Sequence, residues 1–157
     1  MTPPVSPETD RQIETLKTRF PHPGSALLPA LHLIQAEKGF VSDESMEYVA
    51  ARLDLAPAFV AGVVSFYTMF HRKPVGRHHI QICRTLPCAL RGCRALLEHV
   101  KQRLGIAEGG TTPDGRFSLE VVECLGNCDK APAVQISERD HGPIDPAALD
   151  ALLETLR

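Results

Sequence analysis

The chain has 157 residues, a net charge of −2, 43% hydrophobic residues and five cysteines. That length holds one ordinary domain or two small ones, and the apolar content suffices for a core and excludes wholesale disorder. The near-neutral charge argues against a nucleic-acid binder working by bulk electrostatics, and no apolar run approaches the roughly 20 residues of a membrane span, so neither nucleic acid nor direct membrane insertion is expected.

The chain opens on a Pro-rich stretch, Met1 to Pro7, with no charged or apolar segment of a secretion signal. Residues 1–8 read as a disordered tail, and export is not expected. Ile13 and Leu16 mark a first short helix. Leu27, Leu31 and Ile34 mark a second, stopped by Gly39. Met46, Val49, Ala50 and Leu53 recur at helical spacing behind a cap at Ser42 or Asp43. Pro57 suits the first turn of a fourth helix with Val60, Val63, Tyr67 and Phe70 on its apolar face. These four helices predict a small bundle over residues 9–74, with Pro74-Val75-Gly76 as the boundary.

From residue 75 to 157 the period changes. Ile80 and Ile82 alternate with Gln81 in a strand that ends at Cys83. Ala89 to Leu104 reads as one amphipathic helix carrying Leu90, Leu97, Val100 and Leu104, stopped by Gly105. Pro113-Asp114-Gly115 is a turn. Phe117 to Glu123 is a strand running into Cys124, and Ala133 to Ile136 is another. His141 to Ile144 is a weaker fourth strand candidate. Asp145-Pro146 caps a last helix bearing Leu149, Leu152, Leu153 and Leu156. The order is β-α-β-β-β-α, or β-α-β-β-α without the weak strand. The fold class is therefore α/β, behind a small all-α unit.

A strand-helix-strand crossover makes its two strands parallel, so their C-terminal ends share one sheet edge. Cys83 closes the first strand and Cys124 the second, which puts Cys83/Cys88 and Cys124/Cys128 in loops at that edge, where open α/β sheets gather ligands. Four thiolates suit zinc or an iron–sulfur cluster. The gaps of four and three residues are wider than the usual zinc knuckle and suit two irons, one per pair; they depart from the plant-type ferredoxin spacing. Cys93 follows Cys88 at the same interval as Cys88 follows Cys83. Placement favours Cys83, at a strand corner, over Cys93, about a turn into a helix, where a free cysteine is commonly a buried small hydrophobe.

From His71 to Arg103, eight Lys/Arg face one acid, Glu98, a local net of +7. This is either a solvated basic face or a positive field around an anionic site. Arg84, Arg91 and Arg94 stand close in sequence to the cysteines and are candidates to offset cluster charge. Backbone N–H groups after Cys88 and around Gly126 and Asn127 are candidate donors to sulfur, and Gly126 allows the positive φ of a tight loop.

Cys83-Arg84-Thr85-Leu86-Pro87-Cys88 with Leu90-Arg91-Gly92, Glu123-Cys124-Leu125-Gly126-Asn127-Cys128, and Ala131-Pro132-Ala133-Val134-Gln135-Ile136 resemble the E-type subunits of bacterial NADH-quinone oxidoreductases (complex I). Gly62-Val63-Val64-Ser65-Phe66-Tyr67-Thr68-Met69-Phe70 resembles that family's helical segment. The resemblance runs from about Pro21 to Arg157. It implies a thioredoxin-like ferredoxin domain behind an N-terminal helical bundle. It also implies one [2Fe–2S] cluster on Cys83, Cys88, Cys124 and Cys128, acting as an electron-transfer site without catalytic residues. The implied partner is the flavin- and NADH-binding subunit, which holds FMN and NAD, with further subunits of the complex around it. The implied place is cytoplasmic, peripheral on the inner membrane. Relatives of the family serve as diaphorase subunits of NAD-reducing hydrogenases and NAD-dependent formate dehydrogenases. Asp140-His141-Gly142-Pro143 departs from the family's more aromatic hairpin, and Cys93 stands where a small residue is usual.

A structural zinc module held by four cysteines is the alternative of another class. A thiol enzyme pairing a cysteine with His99 has no distinguishing nucleophile–base pair. A Rieske centre needs histidine ligands, and no histidine lies inside either cysteine loop; the seven histidines read as surface or packing residues. No dinucleotide fingerprint or phosphate loop is present, so NAD and flavin are not expected on this chain.

Overall fold

The helices of the first half begin and end at residues whose side chains or backbone freedom suit a helix end. A computed structural model describes residues 4–156, which divide into two compact units, through Pro74 and from Val75.

In the first unit, helix α1 spans Pro7–Arg19 and is capped by Ser6, whose Oγ accepts the Thr9 N–H at 3.2 Å. Ser6 is itself held by Glu37, and Val5 is buried. The tail expected over residues 1–8 is thus already structured from Val5, because the cap and one apolar side chain tie it down; Met1 to Pro3 lie outside the described residues. Helix α2, Leu27–Lys38, stops at Gly39 in the left-handed conformation (φ 81°). Helix α3, Asp43–Leu53, is capped by Ser42. Helix α4, Pro57–Phe66, starts on its proline. Ile13, Leu31, Ile34, Val49, Leu53 and Val60 are almost fully buried together. Between α1 and α3, the Tyr48 hydroxyl and the Arg52 guanidinium both donate to Asp10. Burial, and then the Asp10 carboxylate, push the Tyr48 phenol up to about 12, so it stays a donor.

Tyr67 and Phe70 do not continue the α4 face as the periodicity predicts, since the helix ends at Phe66. Phe70 is buried nonetheless. The Gln35 side chain donates to the Met69 carbonyl and accepts from the His71 N–H, both at 2.7 Å, clamping the returning chain on either side of Phe70.

In the second unit, strand β1 spans His78–Cys83, and two helices follow, α5 (Leu86–Leu90) and α6 (Cys93–Leu104). The single helix expected over Ala89 to Leu104 is broken at Gly92, which sits at φ 92°, a conformation that helix cannot carry. Leu90 consequently faces solvent, and Leu96 joins Val100 in the core instead. Strand β2 is Phe117–Val122, β3 is Val134–Ile136, β4 is Arg139–His141, and helix α7 is Pro146–Thr155, capped by Asp145. The sheet order is β2-β1-β3-β4, with β1 and β2 parallel and the other pairs antiparallel. The register Ile80↔Leu119, Ile80↔Ile136 and Ile82↔Val134 puts the apolar residues on one face, in one cluster with Leu96, Val100, Leu149 and Leu153. The other face carries Gln81 and His79, both within 3.1 Å of the Glu120 carboxylate.

The fourth strand lies at Arg139–His141, before the stretch the alternation suggested. Ser137 and Glu138 form the hairpin turn with positive φ at both positions (47° and 69°). That turn normally draws Asn-Gly or Asp-Gly, so Ser-Glu gives no signal for it. Ile144 is buried without belonging to a strand.

Candidate functional site

The parallel pairing of β1 and β2 decides where the cysteines go. Cys83 is the last residue of β1 and lies opposite Val122, the last of β2. The Arg84 N–H carries the pairing one step further, to the Val122 carbonyl at 3.0 Å. Cys124 follows two residues beyond β2, in the loop rather than at the strand's end, and Cys128 opens a short 3-10 turn, Cys128–Lys130. Cys88 lies inside α5 with its side chain turned inward. All four therefore sit at one sheet edge, as a buried pair (Cys83, Cys88) and an exposed pair (Cys124, Cys128). The exposed sulfurs are 3.5 Å apart.

Hydrogen-bond donors converge on these sulfurs. The Gly126 N–H donates to Cys124 Sγ at 3.3 Å, a bond that depends on Gly126 at φ 76°. The Leu125 N–H reaches Cys83 and the Ala133 N–H reaches Cys88. Thr85 Oγ1 lies 3.2 Å from Cys83 Sγ and is also within reach of Cys124, so one hydroxyl stands between a sulfur of each pair. Burial pushes the Cys83 thiol up, but the Thr85 hydroxyl and N–H, Cys88 and Leu125 outweigh it and leave it below the ordinary thiol value. Burial raises Cys88 to about 11. The Gly126 N–H, then Cys128, lowers Cys124, while its hydrogen bond to Cys124 raises Cys128. In each pair the two thiols are thus pushed in opposite directions, Cys83 and Cys124 down, Cys88 and Cys128 up.

Sequence reasoning passed over Thr85; the only available signal was a small hydroxyl residue between two ligand candidates. Arg84, expected to offset cluster charge, is instead matched by Glu123, which accepts from its Nε at 2.9 Å. Arg91 and Arg94 are exposed, and neither meets a carboxylate at ion-pair distance among the described residues. Cys93 is the first residue of α6 rather than a turn inside it, buried in the core beside the inner pair. Burial, and then Cys83, raise its thiol above the ordinary value. His79 and His99 bond Glu120 and Asp150, each at 2.9 Å, and the His32 ring packs on Phe70.

Among the described residues no three His, Cys, Asp or Glu side chains are gathered ready to hold a metal ion; the sulfurs come two and two. Two cysteine pairs fit a [2Fe–2S] cluster, which Cys83, Cys88, Cys124 and Cys128 would hold, and the N–H and O–H donors near the sulfurs would suit its negative charge.

The sequence profile of the thioredoxin-like [2Fe–2S] ferredoxins matches residues 13–157. The chain belongs to the thioredoxin-like [2Fe–2S] ferredoxin family. Among similar proteins, an E-type NADH-quinone oxidoreductase subunit of Rhizobium meliloti is 45% identical over 146 residues, covering 93% of this ferredoxin and 87% of the relative. The NADH-quinone oxidoreductase subunit 2 of Thermus thermophilus is 38% identical over 148 residues, covering 92% and 82%. Among solved structures, an NAD+-reducing [NiFe]-hydrogenase in its H2-reduced state superposes with a TM-score of 0.71 at 31% identity. That match covers 83% of this ferredoxin and 22% of the hydrogenase chain. No helix among the described residues is long and apolar enough to cross a membrane.

Proposed function

We propose that this chain is the electron-transfer subunit of an NADH-quinone oxidoreductase, holding one [2Fe–2S] cluster on Cys83, Cys88, Cys124 and Cys128. The observation that carries the reading is the meeting of two cysteine pairs and their donors at one sheet edge, in a chain of this ferredoxin family. When bound, the cluster supplies one-electron storage, and the flavin and NAD belong to the partner subunit. The chain's own residues do the rest. Cys83 and Cys88 hold from the buried side and keep water away. Cys124 and Cys128 would hold the cluster from the exposed side. Gly126, Leu125, Ala133 and Thr85 place N–H and O–H donors by the sulfurs, where they would favour added negative charge on a bound cluster. No side chain here acts as acid, base or nucleophile on a substrate. Residues 75–157 form the cluster domain and 9–74 its helical companion, placed on the cytoplasmic side of the membrane with the assembly.

The likeness to the hydrogenase favours a second parent, in which the same subunit serves the diaphorase of an NAD-reducing hydrogenase. Isolation of the native assembly and identification of its companions decides between the two. For the ligands, each of Cys83, Cys88, Cys124 and Cys128 is replaced by Ala in turn, with Cys93→Ala as the contrast. The first four lose the visible absorbance and iron of the reconstituted chain, and Cys93→Ala keeps both. Equal iron in Cys124→Ala and Cys93→Ala contradicts the assignment, and a colourless chain holding zinc contradicts the cluster.

A further inference from the structure

We infer that Leu86 and Leu90, with Arg91 and Arg94, form the surface on which the electron-exchange partner docks, and that the partner offers there an apolar patch rimmed by carboxylates. The inference rests on the proposed function and names where that contact is made. Leu86 and Leu90 are 70% and 77% exposed. They stand at i and i+4 of α5, so they share one face of that short helix, two residues to either side of the inward-facing Cys88. The same element that holds a cluster sulfur on its inner side therefore presents two leucines on its outer side. Two leucines side by side on one helix face make a small exposed apolar patch, which a partner's apolar surface can cover.

Charge gives the chemistry of the cover. Arg84 is neutralised by Glu123 and Lys101 by Glu98. Arg91 and Arg94 follow directly on α5, exposed, and no ion pair among the described residues uses them. An apolar centre with unmatched guanidinium groups beside it complements a protein surface with Asp or Glu around an apolar patch. Electron exchange requires the two cofactors to come close, and this face belongs to the loop and helix that carry Cys83 and Cys88.

The test uses the full chain with its cluster and, as probe, the flavin- and NADH-binding subunit from the same organism. Two double variants are compared with wild type, Leu86→Ser with Leu90→Ser and Arg91→Glu with Arg94→Glu, each checked for full iron and unchanged visible absorbance. The leucine variant is expected to bind at least ~10-fold more weakly at low and high salt alike. The arginine variant is expected to bind ~10-fold more weakly at low salt and to lose most of the wild-type salt dependence. Binding within twofold of wild type by both variants overturns the surface. So does a wild-type dimer that the leucine changes split while partner binding is unaltered, which assigns the face to a second copy. So does vesicle binding, with anionic phospholipid, that is lost in the variants while partner binding stays. If the leucine variant loses iron, the arginine variant decides alone. Failure of the wild-type chain itself to bind or exchange electrons with the partner sinks the functional reading, a result distinct from equal binding by wild type and variants.

Discussion

Replacing Thr85 by Val tests whether the hydroxyl between the two cysteine pairs tunes the site. Valine keeps the branched shape and nearly the volume of threonine, so packing at the corner after β1 is preserved. Thr85 is also the residue before α5, yet its hydroxyl makes no capping bond there, so the helix loses nothing. What disappears is the O–H aimed at Cys83 Sγ, 3.2 Å away, and its reach toward Cys124. A hydrogen bond of this kind has a net worth of about 0.5–1.5 kcal/mol. It favours the reduced cluster more than the oxidised one, because reduction adds negative charge on the sulfurs. If the difference between the two states is about that size, the one-electron midpoint potential falls by about 20–65 mV, at 59 mV for each tenfold change. A redox titration of the iron-replete chain followed by electron paramagnetic resonance measures it, with Thr85→Ser expected to return the wild-type value. An iron-replete Val variant whose midpoint coincides with wild type refutes the reasoning.

Three further substitutions probe the frame around the site and the helical unit. Gly126→Ala finds open space for its Cβ but must hold φ near 76°; it is expected to destabilise the loop by about 1 kcal/mol, turn the N–H away from Cys124 and lower the iron bound after reconstitution. Gly142→Ala places a Cβ 2.3 Å from the Lys130 carbonyl oxygen, two residues past Cys128; overpacking of about 1–3 kcal/mol is expected as a lower thermal midpoint of the full chain. In the helical unit, hydrogen bonds from Tyr48 and then Arg52 hold the Asp10 carboxyl below its ordinary 3.8. A depressed acid stabilises the fold above its unfolded value and loses that contribution as the pH falls through its folded value. Asp10→Asn is therefore expected to lower stability by about 1–2 kcal/mol at pH 7, with the gap to wild type closing below pH 3.8 in denaturant titrations.

Local signals in the sequence mapped well onto local structure. Gly39 stops α2, Ser42 caps α3, Pro57 opens α4, and the alternation around Gln81 ends in a strand at Cys83. The crossover argument for a parallel pair holds in the register of β1 against β2, and that register brings the two cysteine loops to one edge. The failures were of another kind. Helical spacing carried the α4 face on to Tyr67 and Phe70, and nothing near them showed that Gln35, more than 30 residues earlier, would clamp the chain into a return. Apolar periodicity ran smoothly through Gly92, although its backbone splits the helix there and turns Leu90 to solvent.

The sequence alone determined the ligand candidates and the change of period near residue 75, because spacing and caps depend on neighbours a few residues apart, and it determined the parallel edge because a strand-helix-strand crossover sets strand direction whatever side chains meet. Only the tertiary structure decided which cysteines lie inside and which outside, that Thr85 stands between the pairs, and that Glu123 cancels Arg84. The Thr85–Cys124 and Arg84–Glu123 contacts join segments about 40 residues apart, and no local pattern encodes which side chains will touch across such a junction.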